Sequence, residues 1–423
     1  MLHLDSNYRL KCFLYIKYNQ LSCSTSTMVH NANSNKLHFN TSSLHADGHL
    51  VNGPDVSPAI STSSTYLFNK TEHGANNYGD DQIYEYSRYG TPTLARTEAV
   101  LGKICNGLAT VHSSGLSSLL SLLIHYRPKR IVMKHGYFGC DNVIRIYRTL
   151  IPDAVVLGLD CEYKENDFVW LETPVNPTGE IEDIQYFANK AHAAGAILLV
   201  DSTFAPPPLC DPFKQGADVV MHSGTKYFGG HADVLCGVVV TKCAALNEAL
   251  HRQRDVLGMV PGNLEAWLVL RSLRTLSLRV NQQSKTCQML VSYLANAAKG
   301  CSLAETDGIP VGAVHDVRHA STQRFSPSFD VCAQHPNGFG PVFSILLSSQ
   351  SQALFVARNL KLTTFATSLG SVSSLVDWRH GGDPTQDPRL LRVSIGLEDI
   401  EDLKRDWKNT IIASISATRS NKL

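Results

Sequence analysis

An α/β fold with a mostly parallel sheet is predicted by three features of the chain. Apolar runs recur at 108–112, 130–133, 154–157, 168–171, 196–200, 219–221 and 236–240. Helix-length segments such as 116–126 and 184–194 lie between them. Runs that are apolar throughout belong to strands covered on both faces, as parallel sheets are. The third feature is what ends the runs: Glu172 and Asp201 close two of them, and Ser223, Thr225 and Lys226 follow another. Ligands of open α/β sheets sit beyond the carboxyl ends of the strands, so chemistry is expected there.

The elements follow in order. Residues 1–27 carry Arg9, Lys11 and Lys17 against one acid, Asp5, and their apolar piece 12–16 is too short for a signal peptide. Met28 offers an alternative start, and 29–40 are polar. Residues 1–40 are therefore expected to be a disordered, untargeted tail, with a weak mitochondrial targeting segment as the alternative. Gly48, Asn52, Gly53, Pro54 and Pro58 favour turns over helical periodicity, so 41–85 read as an extended arm. A large domain is expected over 86–282, ending in a long helix at 264–283. A smaller α/β domain is expected over 283–423, with a strand at 342–347 and a helix at 352–360.

Bulk properties exclude several classes. The 423 residues suit two or three domains, and 43% hydrophobic residues suffice for a large core. Thirty-eight basic against 37 acidic residues give a net charge of +1, so no nucleic-acid or anionic-membrane partner is expected. No apolar run reaches a membrane span. Eleven cysteines without a C-x-x-C pair read as reduced thiols of a cytoplasmic protein. His231 with Asp233, and His45 with His49, lack a third ligand at helical spacing, so no metal is expected. No P-loop or dinucleotide fingerprint occurs.

Lys226 is the most informative residue. The segment Ser223-Gly-Thr-Lys-Tyr-Phe-Gly-Gly230 follows an apolar strand, and Asp201 ends the strand before it. A lysine at a strand-to-loop transition, flanked by hydroxyls and preceded by an isolated acid, suits a Schiff-base lysine holding pyridoxal phosphate (PLP). Its amine would take the aldehyde, Ser223 and Thr225 the phosphate, and Asp201 the pyridine nitrogen. An ordinary surface lysine is the alternative.

Other motifs stand at a distance along the chain. Ser114-Gly115-Leu116 opens a helix whose first amides form a ready anion site, or is an ordinary strand-to-helix turn. Tyr137-Phe138-Gly139-Cys140 offers a phenol with a flat face and a titratable tip, or simple packing. Glu172-Thr-Pro-Val-Asn176-Pro-Thr178 is a proline-fixed turn. Tyr86-Ser87-Arg88 precedes Gly90-Thr91-Pro92-Thr93 and Glu98, and reads alone as an arginine beside a turn. Arg392 is the lone base of the apolar stretch Leu391-Arg-Val-Ser-Ile-Gly396, so a partner anion is expected. Thr367-Ser368-Leu369-Gly370 completes the set.

In this order the motifs resemble those of the Cys/Met-metabolism family of PLP enzymes, from about residue 44 to residue 402. That family includes cystathionine γ-synthase, cystathionine β- and γ-lyases, methionine γ-lyase and O-acetylhomoserine sulfhydrylase. The resemblance implies PLP-dependent transferase fold type I with PLP as cofactor. It implies Lys226, Tyr137 and Asp201 as catalytic residues, with Ser114, Gly115, Leu116, Ser223 and Thr225 around the phosphate. Tyr86 and Arg88 would reach the phosphate of a neighbouring subunit, so a homo-oligomer, a dimer of dimers, is implied. Asn176, Thr367, Ser368 and Arg392 would bind the amino-acid substrate, Arg392 by its α-carboxylate.

Some positions depart from the family pattern. Phe138 and Cys140 narrow the space beside the cofactor, and Thr91 replaces an asparagine. Ser371 and Ser373 replace a glycine and a glutamate. Thr367 stands where cystathionine-handling members often carry glutamate for the distal ammonium. The expected activity is carbon–sulfur bond cleavage at Cβ or Cγ in trans-sulfuration, with γ-replacement on an activated homoserine as the alternative. An aminotransferase has no need of the Tyr86/Arg88 motif. A non-catalytic homologue would not retain Lys226, Asp201, Tyr137 and Arg392 together.

Overall fold

The computed structural model describes residues 37–51, 53–67, 76–77, 83–134, 136–298 and 307–420. Most of the tail expected over 1–40 lies outside the described residues. Within the expected arm, the chain is not extended at the start. It forms helix α1 (Phe39–His45) and a 3₁₀ turn (Gly48–Leu50); after them the described residues hold bends, an isolated bridge between Thr65 and Tyr86, and a short antiparallel pair of Asn76–Asn77 with Ile83–Tyr84. Arg274 fixes this start by donating to the carbonyls of Ser43 and Leu44 and to the carboxylate of Asp47.

The larger sheet has seven strands: β1 (Leu108–His112), β2 (Arg130–Met133), β3 (Val155–Leu157), β4 (Phe168–Glu172), β5 (Ile197–Asp201), β6 (Val219–Ser223) and β7 (Gly237–Thr241). Their spatial order is β1-β7-β6-β5-β4-β2-β3, parallel except where β7 runs antiparallel to both β1 and β6. The central strands bury both faces, which explains their unbroken apolar runs. In β4, Val169 and Leu171 enter one core while Phe168 and Trp170 enter the other. The edge strand β3 is the exception, with Val155 and Val156 exposed.

Local chemistry starts the helices. Thr91 caps α2 (Pro92–Ile104) by accepting from the Leu94 amide, with proline at the first helical position. Threonine thus supplies here the side-chain oxygen of a capping asparagine. Ser114 and Ser117 form a reciprocal capping box on α3 (Gly115–Tyr126). Asp183 caps α5 (Ile184–Ala193), after α4 (Phe138–Leu150). Beyond α6 (Ala244–Leu257), the single helix expected at 264–283 is two helices, α7 (Asn263–Leu273) and α8 (Leu276–Ala298), broken at Arg274 and Thr275. The Thr275 amide bonds to the Ser272 carbonyl, three residues back, which tightens the turn and ends the first helix.

The second sheet holds β8 (Val314–Arg318), β9 (Val342–Leu347), β10 (Thr364–Phe365), β11 (Leu375–Trp378) and β12 (Leu390–Ser394), in the order β8-β9-β12-β11-β10. Pairing is antiparallel except between β10 and β11. Helices α9 (Gln350–Asn359) and α10 (Ile400–Ser420) and the second half of α8 bury a separate core against it. Helix α8 therefore crosses residue 283, where the smaller domain was expected to begin.

Trp407 is fully buried in this core, 6.4 Å from Phe343 between ring centroids. Trp407→Ala is expected to destabilise the protein by about 3–5 kcal/mol through the cavity it leaves, read as a lowered urea midpoint. An unchanged midpoint would show that this core contributes little.

Candidate active site

Glu172 and Asp201 end adjacent parallel strands and stand opposite each other in register. Both carboxyls therefore reach the same edge of the sheet. Glu172 accepts from the amides of Tyr137 at 2.8 Å and Asn176 at 2.7 Å, which ties two loops to one side chain. On Asp201, Oδ1 accepts from the Thr203 amide at 3.0 Å and its hydroxyl at 2.5 Å. Thr203 Oγ1 in turn accepts from the Ser223 amide at 2.8 Å, so Asp201 is coupled to the end of β6. No bond within the described residues occupies Asp201 Oδ2. Burial raises the pKa of both carboxyls, and the charge of Asp201 raises that of Glu172 further. Thr203 pulls Asp201 part of the way back. Cys140 is buried beside them, and burial keeps its thiol neutral.

Lys226 lies in the turn after β6. Its amide donates to the Ser223 carbonyl, and its own carbonyl accepts from the Gly230 amide. Burial lowers the Lys226 pKa to about 8, with Arg392 acting in the same direction and Asp377 against it. The Thr225 hydroxyl closes the turn, bonding the backbone of Cys236 in both directions. The N-terminus of α3 packs on the same strand end: a Cβ at Gly115 would stand 3.1 Å from Ser223 Cβ. The Gly115 and Leu116 amides, left over by the helical ladder, thus lie with Ser223. Tyr137 is exposed, and its ring lies where a side chain at Gly139 would collide with it. Burial raises its pKa, then Cys140, while Arg379 and Arg392 oppose the rise.

The second sheet supplies the rest. Lys226 Nζ donates to Ser368 Oγ at 2.7 Å, and Arg392 Nη2 donates to the Ser368 carbonyl at 2.9 Å. Ser368 holds φ at 80°, a left-handed backbone uncommon outside glycine. Gly370, at φ 81°, lies against the Lys226 turn: a Cβ there would be 2.9 Å from Tyr227 N. Arg392 also donates to Asn176 Oδ1 at 3.4 Å and Asp377 Oδ2 at 2.9 Å. Thr367 is exposed.

Ser223 and Ser368 touch Lys226 directly, and Gly115, Asp201, Tyr137, Asn176 and Arg392 are linked to it through Ser223, Thr203, Glu172 and Ser368, with Ser114, Leu116 and Thr225 beside them in sequence. Tyr86 and Arg88 make their contacts elsewhere. The Arg88 guanidinium lies 5.3 Å from the Tyr86 ring and 4.8 Å from the Tyr89 ring, and donates to the Asp255 carbonyl. It lines a cavity of about 260 Å³ with Ser87, Thr91, Val260, Pro261 and Asn263. Glu98, from the same motif, accepts from buried Arg254 at 2.7 Å and from the Val111 amide.

Sequence reasoning missed Asp377, Arg379 and Thr203. Asp377 had a visible signal: it is the lone acid of the apolar strand Leu375–Trp378, as Arg392 is the lone base of its neighbour.

This donor set fits PLP. A partly buried amine of lowered pKa suits the aldehyde, helix amides with a hydroxyl suit the phosphate, and a buried carboxylate with one oxygen unbonded among the described residues suits the ring nitrogen. Comparisons with known proteins agree. A family model described as Cys/Met metabolism PLP-dependent enzyme matches residues 40–411. A cystathionine gamma-lyase of Saccharomyces cerevisiae is 33% identical over 404 residues, covering 88% of this chain and 97% of that protein. A cystathionine beta-lyase of Lactococcus lactis is 30% identical, covering 82% of this chain and 93% of that protein. The crystal structure of a methionine gamma lyase from Micromonospora echinospora superposes with a TM-score of 0.76 at 30% identity, covering 89% of this chain and 100% of that one. The chain belongs to the Cys/Met-metabolism family of PLP-dependent enzymes.

Proposed function

We propose that this protein is a carbon–sulfur lyase of trans-sulfuration, eliminating at Cβ or Cγ of a sulfur amino acid. One observation carries the reading: Ser368 bonds Lys226 through its hydroxyl and Arg392 through its carbonyl. An amino acid whose carboxylate rests on Arg392 is thereby placed with its Cα beside the Lys226 amine. Ser114, Gly115, Leu116, Ser223 and Thr225 would hold the phosphate of PLP, Tyr137 would face its ring, and Asn176 would meet the ring oxygen. Asp201 would keep the ring nitrogen protonated. Bound there, PLP supplies a sink for the electrons left at Cα.

The residues divide the proton transfers. With its pKa lowered to about 8, Lys226 is free amine in a larger share near neutral pH than an ordinary lysine, and in that form it takes the proton on Cα. For a leaving group at Cγ the amine must first hand the Cα proton on, and as free amine again it takes a second proton from Cβ. Tyr137, whose raised pKa keeps it a phenol, donates to the departing sulfur. Elimination ends in a keto acid and ammonia. Two separately cored sheets support the division into a larger PLP-binding part, 86–282, and a smaller part, 283–423.

The exposed hydroxyl of Thr367 favours a second reading, γ-replacement on an activated homoserine. It offers no charge to the distal ammonium of cystathionine. Placement of Tyr86 and Arg88 away from Lys226 supports a site shared between subunits, hence a homodimer or dimer of dimers.

Three outcomes are expected. Apo-protein should capture PLP at a rate that rises with pH, because the free amine increases as pH passes the Lys226 pKa. Stopped-flow absorbance should place the midpoint near 8. A midpoint near the ordinary lysine value of about 10.4 would contradict the burial of this amine.

Lys226→Ala and Arg88→Ala should each be inactive, yet regain activity on mixing with subunit exchange, since one site of each hybrid holds both native residues. Exchange proven by mass spectrometry without recovered activity would refute a shared site.

Thr367→Glu should raise kcat/KM for cystathionine relative to O-acetylhomoserine by roughly tenfold, the worth of one charge-assisted bond. A ratio that stays fixed would place recognition of the distal group elsewhere.

A further inference from the structure

Asp377 pairs with Arg392 across β11 and β12 and is buried with it. Its Oδ2 accepts from Arg392 Nη2 at 2.9 Å and from Arg379 Nη1 at 3.1 Å. Arg379 is 6% exposed, and its Nε has no partner among the described residues. Its guanidinium carbon stands 5.4 Å from the Phe138 ring, next to Tyr137. Three buried charges thus meet on one carboxylate oxygen, and two positive against one negative leave +1.

That sum has a consequence for binding. Arg392 and Asp377 alone would form a neutral pair, in which Asp377 competes for the guanidinium and repels an incoming carboxylate. Arg379 cancels the acid. Arg392 is then held in place by Asp377 and still presents one net positive charge. The triad matches a single carboxylate.

We propose that Arg379 is a positioning residue for substrate: it neutralises Asp377, so that Arg392 remains available to one α-carboxylate. The proposal rests on the reading of Arg392 as the residue that binds that carboxylate.

The test uses the PLP-loaded enzyme and two probes, glycine and methylamine, the same amine without a carboxylate. Binding of each is followed by the change in visible absorption. Arg379→Met keeps the bulk and removes the charge. It should weaken glycine binding about tenfold or more, the scale of one charge-assisted contact, and leave methylamine binding unchanged. With an amino-acid substrate KM should rise while kcat holds. Arg379→Met combined with Asp377→Asn restores the +1 sum, and glycine binding should return to near the wild-type value.

Equal weakening of glycine and methylamine in Arg379→Met would overturn the proposal, since it would reveal a general structural role. So would a folded double variant that binds glycine as poorly as the single one. Should Arg379→Met not fold, the double variant decides alone. Arg392→Met separates the two readings. If it leaves glycine binding intact, the assignment of Arg392 has failed. If it abolishes glycine binding while Arg379→Met does not weaken it, only the present proposal has failed.

Discussion

Ser368 is the point on which the site depends, because one residue bonds both the lysine and the arginine. Its hydroxyl accepts from Lys226, in the turn that follows β6 of the large sheet, and its carbonyl accepts from Arg392, which belongs to the small one. Both bonds are made with the backbone at 368 turned left-handed, a conformation costing a non-glycine residue of order 1–3 kcal/mol. The following turn repays this by contact. Gly370 lies against the backbone of Lys226 and Tyr227, and its amide donates to Ser394 at 2.9 Å. The strained residue is held from both sides.

A second constraint comes from the parallel sheet. Parallel neighbours in register bring their last side chains to one edge, so Glu172 and Asp201 are forced together. Two carboxyls side by side, one buried and one partly so, are unfavourable unless one is protonated or both are bonded. The structure uses bonds on each: two backbone amides on Glu172, and the amide and hydroxyl of Thr203 on Asp201. Glu172 thereby orients the loops that carry Tyr137 and Asn176, while Asp201 keeps one oxygen free. Proximity that burial would penalise becomes a way of aligning the site.

Much of this was legible in the chain. Unbroken apolar runs identified the sheet because burial on both faces leaves no room for alternation. Lys226 was visible because it follows a strand among hydroxyls and Asp201 because it ends one, whereas Tyr137 was singled out by the likeness of its motif to the family's. Arg379 was not visible. Nothing beside it in sequence marks it, and its role arises from Asp377 and Phe138, one close in sequence and the other 241 positions away. The break at Arg274 and Thr275 was likewise hidden, since no glycine or proline interrupts the helical pattern there.

The sequence by itself determined the fold class and, through its motifs, PLP as the cofactor, because these depend on local periodicity and on short spacings. Tertiary structure alone decided that Ser368 joins Lys226 to Arg392, that Asp377 is the anion Arg392 requires, and that Arg379 balances it. Those are contacts between separate strands and loops. Buried charges must be neutralised by whatever the fold brings near, and only packing selects that partner.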